Sequence, residues 1–106
     1  MDAKTRKQLE RAGFAVGGAA DFLGLSAEEA ALVEMRLGLS RALRERRTAA
    51  GLTQAALARR TGSSQSRVAK MEAGDPSVSL ELLIRALLAA GASRRDVGQA
   101  LARKVA

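Results

Sequence analysis

The stretch Leu52 to Glu72, LTQAALARRTGSSQSRVAKME, decides how the rest of the chain is read. It falls into two short amphipathic segments on either side of a tight turn. Thr53 stands at an N-cap position and opens a helix from Gln54 to about Arg60. Gly62 closes it, because a turn this sharp needs positive φ. Ser64 caps a second helix that runs to about Glu72 and ends at Gly74. Leu57 reads as buried, and Ala58 sits where two helices cross and only a small side chain fits. Val68 and Met71 point back to the core. Thr61 stands where an aliphatic residue is usual, but its methyl can still pack. This register leaves Gln65, Ser66 and Lys70 on the outer face of the second helix.

Further helices flank the pair. Upstream, Ser26 is followed by Glu29, a capping box, and a helix is expected from Ala27 towards Ala50, stopping at Gly51. Its apolar stripe is Leu32, Met35, Leu39 and Leu43, and Gly38 is a point of weakness or a kink. The spacing leaves open whether this is one long helix or two. Downstream, Asp75–Pro76–Ser77 forms a turn. Ser79 then caps a helix with apolar residues at 80, 83, 84, 87 and 88, the pattern of a core-facing face, ended by Gly91. Ser93 with Asp96 caps a last helix carrying Val97, Leu101 and Val105. Residues 2–11 read as a short charged helix, and 13–20 as a Gly-rich turn or linker anchored by Phe14 and Val16. The expected fold is all-α: a five-helix domain over 26–106, with an N-terminal helical or irregular extension over 1–25.

Composition agrees. The chain has 106 residues and is 47% hydrophobic, and most of that is Ala and Leu, which favour helix. With no cysteine, histidine or tyrosine, the usual nucleophiles, general bases and metal ligands are missing, so no catalytic residue, metal or cofactor is expected. Residues 1–11 are polar and charged with no long apolar run after them, so no secretory signal is expected. The apolar run at Leu82–Ile84 is broken by Arg85, so no membrane span is expected and the chain reads as cytoplasmic.

The net charge is +7, and its position is informative. Between residues 41 and 70 lie Arg41, Arg44, Arg46, Arg47, Arg59, Arg60, Arg67 and Lys70, opposed only by Glu45. The rest of the chain is neutral, so the whole excess sits on the two-helix segment and the helix before it. A polyanion partner follows. Two helices with a tight turn between them form a helix-turn-helix, whose second helix suits a DNA major groove. Gln65 can pair bidentately with adenine, Lys70 favours guanine, and Ser66 discriminates poorly. Gln54 and the N–H groups of its helix face a phosphate, helped by the helix dipole. Arg67 lies one residue round and bonds the backbone, while Arg59 and Arg60 add field. Glu72 is structural, with Arg47 as its partner across the domain.

Residues 39–90 resemble the phage-repressor-like Xre family of helix-turn-helix regulators. The resemblance rests on Leu43, Arg47, Gly51–Leu52–Thr53–Gln54, Leu57–Ala58, Gly62, Ser64–Gln65–Ser66, Val68, Met71–Glu72, Gly74 and Ser79–Leu80. The run SSQSRVAKMEAGDPSVSLELL is similar to HigA-type antitoxins of toxin–antitoxin pairs. The resemblance implies a homodimer that binds double-stranded operator DNA and represses its own operon. The implied DNA-binding set is Gln54, Ser64, Gln65, Ser66, Arg67 and Lys70, with Gln54 steadying Gln65 and Arg47 paired to Glu72. One departure stands out. Many relatives carry basic residues in the loop after the second helix, whereas Gly74–Val78 here holds an acid and no base. The alternative reading is an antitoxin that neutralises a partner toxin protein, using residues 1–25 and the exposed sides of the helix at 27–38. The helix at 27–38 and the last helix are the two candidate dimer faces.

Overall fold

The computed structural model describes residues 24–104, which form five helices and no strand: α1 (Ala27–Ala49), α2 (Gln54–Thr61), α3 (Gln65–Ala73), α4 (Leu80–Ala89) and α5 (Arg94–Ala102). The readings for 2–11 and for 13–20 with Phe14 and Val16, and that for Val105, lie outside the described residues.

Every helix starts at a hydroxyl side chain that accepts an otherwise orphan N–H. Ser26 accepts from Glu29, Thr53 from Ala56, Ser64 from Arg67, Ser79 from Leu82 and Ser93 from Asp96, all at 3.0–3.1 Å. Ser26–Glu29 and Ser93–Asp96 are full capping boxes, in which the carboxylate also accepts the N–H of the cap residue. Each cap contributes about 1 kcal/mol to its helix.

α1 is one continuous helix of 23 residues, so Gly38 neither breaks nor ends it. Its role is contact with α5. A Cβ at Gly38 would run into the backbone carbonyl of Ala100. The bare Cα lets α5 lie hard against the middle of α1, and Ala100 presents an equally small surface at 4% exposure.

α1 packs against α3, α4 and α5, α2 packs against α3 and α4, and α4 packs against α5. Their shared core contains Leu39 and Leu43 from α1, Leu57 and Ala58 from α2, Val68 and Met71 from α3, and Leu83, Ala86 and Leu87 from α4. Leu80 and Ile84 are partly buried against it.

Three expectations need correction. The stripe on α1 is only half covered: Leu39 and Leu43 are fully buried, but Leu32 is 48% exposed. The first two turns of α1 bury no side chain fully. Leu88, the fifth apolar position of α4, is 44% exposed. Finally, α5 cannot offer Val97 to a second protomer as a dimer face. Val97 and Ala100 are buried within the protomer, and Leu101 packs on the same core.

Candidate nucleic-acid interface

The corner between α2 and α3 is built by one glycine. Gly62 adopts φ 66°, ψ 33°, a left-handed conformation that side chains with a Cβ disfavour. The N–H of Ser63 then returns to the carbonyl of Ala58 at 2.8 Å. The hydroxyl of Thr61 donates to the carbonyl of Leu57 at 2.9 Å. These bonds satisfy the last turn of α2 and let the chain reverse into the cap at Ser64.

α3 is held from behind by Val68 and Met71, both almost wholly buried. Three residues apart, they fix the rotation of the helix. The opposite face carries Gln65, Ser66, Arg67 and Lys70, all exposed. Ser64 is also exposed, with its oxygen engaged by the N–H of Arg67.

The far end of α3 is clamped to α1 and α2 through Glu72. Arg47 donates to both carboxylate oxygens, at 2.6 Å from Nε and 3.0 Å from Nη2. Its remaining Nη1 donates to the carbonyl of Leu52 at 2.9 Å. The pair is enclosed, with side chains 14% and 5% exposed. The hydrogen bond to Glu72, opposed by burial, holds the guanidinium more firmly protonated than an ordinary arginine. Gln54 donates its amide to the same carboxylate at 3.2 Å. Its partner is therefore Glu72 and not Gln65, because Glu72 has lone pairs left over and faces inward, while Gln65 points out.

The loop after α3 is also fastened. Asp75 accepts the N–H of Ser77 at 2.8 Å, and that bond holds its carboxyl below the usual range, helped by the more distant charges of Lys70 and Arg36. Arg36, a residue sequence reasoning passed over, reaches from α1 to the carbonyl of Val78. The loop acid is thus occupied in its own turn.

Tertiary structure redistributes the basic excess. Arg46 pairs with Asp96 at 3.0 Å and Arg47 with Glu72, while Glu45 is taken by both guanidinium nitrogens of Arg103 at 2.8 Å. Arg41, Arg44, Arg59, Arg60, Arg67 and Lys70 remain exposed. Between α3 and α4 runs an open groove of about 590 Å³, bordered by Ser66, Arg67, Lys70, Ser77, Ser79 and Arg85. Arg85 was missed because it lies outside the charged window. The signal available was its spacing from Glu81 on the polar side of α4.

A helix-turn-helix family model matches residues 43–97, from the second half of α1 into the first turn of α5. No curated protein and no solved structure matches the chain.

Proposed function

The chain belongs to the Xre-like helix-turn-helix family of DNA-binding transcription regulators, and from that footing we propose that it is a repressor binding a near-palindromic operator as a homodimer. The supporting observation is that Gln65, Ser66 and Lys70 are exposed on a helix whose opposite face is locked into the core. α3 enters the major groove. There Gln65 pairs with adenine, Lys70 with guanine, and Ser66 adds a permissive contact. Gln54 and the first N–H groups of α2 meet a phosphate, and Ser64 and Arg67 lie along the backbone. The Arg47–Glu72–Gln54 clamp keeps the two helices at a constant angle during docking.

Two copies set their recognition helices about 34 Å apart, in successive major grooves on one side of the duplex. With Val97 buried in the protomer and Leu101 partly so, the N-terminal half of α1 is the better of the two dimer faces. Selecting bound fragments from random duplexes, then titrating the selected site against salt, tests the reading. With four to six phosphates per dimer, log K should fall against log salt with a slope of roughly −4 to −5. A flat response, or no enrichment of any sequence, refutes it.

A second reading, neutralisation of a toxin protein by direct binding, draws on one observation. The first turns of α1 carry Leu32 half exposed, on a helix other than α3, so a protein partner could engage it without using the reading face itself. Co-purification of a tagged chain with the product of a neighbouring gene tests it. Recovery of the chain alone counts for the free-standing repressor.

A further inference from the structure

We infer that Arg85 of α4 is a DNA phosphate contact, exchanging its bond to Glu81 for a backbone phosphate. The inference rests on the reading that α3 is the element that enters the groove, and it assigns the phosphate strand on the α4 side.

A helix with its side chains is about 10–12 Å across, and the major groove of B-DNA is about 12 Å wide. A helix that fills the groove therefore has a phosphate strand along each flank. On one flank of α3 stands the start of α2 with Gln54. On the other lies the open groove between α3 and α4. Its cationic lining residues are Arg67 and Lys70 from α3 and Arg85 from α4, and its one acid is Glu81. The groove continues into a smaller hollow of about 140 Å³, where Arg67 and Arg85 again face each other beside Ser63. The hydroxyl of Ser63 has no hydrogen-bond partner among the described residues.

The preceding loop supplies no cation, and its acid is tied into its own turn at Ser77. Arg85 is thus the only cation of α4 bordering this flank. Its bond to Glu81 is 3.3 Å long, and both side chains are 75% exposed. Such a pair is weak and salt-screened, whereas a guanidinium–phosphate contact is bidentate and releases a counterion. The exchange therefore favours the phosphate, and Glu81 acts as a mild competitor that holds the guanidinium beside the groove until DNA arrives. Because the contact is to a phosphate, it is independent of base sequence.

The test uses a fluorescein-labelled duplex of random sequence about two helical turns long, with anisotropy read from about 50 to 200 mM salt. For each bound protomer, Arg85→Ala should flatten the log–log slope by about 0.9 and weaken binding about fivefold at about 0.15 M salt, which is the counterion term for one phosphate. Glu81→Gln should bind more tightly than wild type. Arg94→Ala, which removes an exposed charge of α5 away from the groove, should leave the slope unchanged. Circular dichroism on each variant checks that the fold is retained. Normal wild-type binding with a slope that Arg85→Ala leaves unaltered, or that Arg94→Ala reduces equally, overturns the assignment of Arg85 alone. A wild-type protein that does not bind the duplex overturns the regulator reading and this one together.

Discussion

Removing Glu72 should loosen the whole recognition unit, by an amount the geometry allows to be worked out. Glu72→Ala deletes two ion-pair hydrogen bonds from Arg47, at 2.6 and 3.0 Å, and a third bond to the carboxylate from the Gln54 amide at 3.2 Å. It leaves a guanidinium that is only 14% exposed, with a single remaining acceptor, the carbonyl of Leu52. Breaking a buried pair from one side costs about 3–5 kcal/mol, because the surviving charge keeps its desolvation penalty. The slight exposure of Arg47 lets some water return, which places the expectation at the lower end, about 3 kcal/mol. For a domain of this size that corresponds to a fall in Tm of about 12–24 °C. Urea denaturation of wild type, Arg47→Ala, Glu72→Ala and the double variant forms the decisive cycle. The double variant should be much less destabilised than the sum of the singles, since it leaves no buried charge unpaired. Additivity within about 0.5 kcal/mol, or a loss below about 1 kcal/mol for Glu72→Ala, would refute the clamp.

Other tests follow from the same geometry. Gly38→Ala should destabilise by about 1–3 kcal/mol through overpacking against the carbonyl of Ala100, despite the better helix propensity of alanine. Gly98→Ala, on the open side of α5 with nothing within 4 Å, should instead stabilise by about 0.5–1 kcal/mol; melting curves that moved in the same direction would contradict the close approach. Gln65→Ala should cost ~1–3 kcal/mol of operator binding and relax preference at one base pair, whereas Arg67→Ala should weaken all sequences alike; competition against mutated operators separates the two. Glu29, Glu45, Asp75 and Asp96 are all held below their ordinary values, Glu45 mainly by its bond to Arg103 and the others by hydrogen bonds to nearby backbone N–H groups. Depressed carboxylates stabilise the fold above their unfolded values, and that stabilisation is lost as pH falls through the folded ones. Tm should therefore stay level from about pH 8 to 6, where no histidine titrates, and decline below about pH 4; a loss already present between pH 8 and 6 would contradict the assignment of the pH dependence to these carboxylates.

Local elements were legible because short-range chemistry specifies them. Ser26, Thr53, Ser64, Ser79 and Ser93 are caps wherever they meet a following helix, since the bond spans only three residues. Gly62 must turn because few other residues tolerate its φ. Val68 and Met71 orient α3 by spacing alone, and so the outward position of Gln65, Ser66 and Lys70 could be read from the chain before any neighbour was known.

Sequence could not say whether a neighbour covers a given apolar face. Leu32 and Leu88 obey the same periodicity as Leu39 and Leu83, yet they stay half exposed, because periodicity defines a stripe and only packing shows how far the body extends along it. Nor does it disclose contacts between distant segments. Arg36 with Val78, Arg46 with Asp96 and Arg103 with Glu45 join residues 42, 50 and 58 positions apart, and Gly38 is explained only once Ala100 lies against it. Arg85 entered the interface by the same route, through a groove that exists only when α4 folds back beside α3. Hydrogen-bond caps and left-handed turns are decided within a few bonds of the backbone, and so they are written in the order of residues. Coverage, charge pairing and grooves depend on which surfaces meet in space, which the three-dimensional packing of the five helices alone determined.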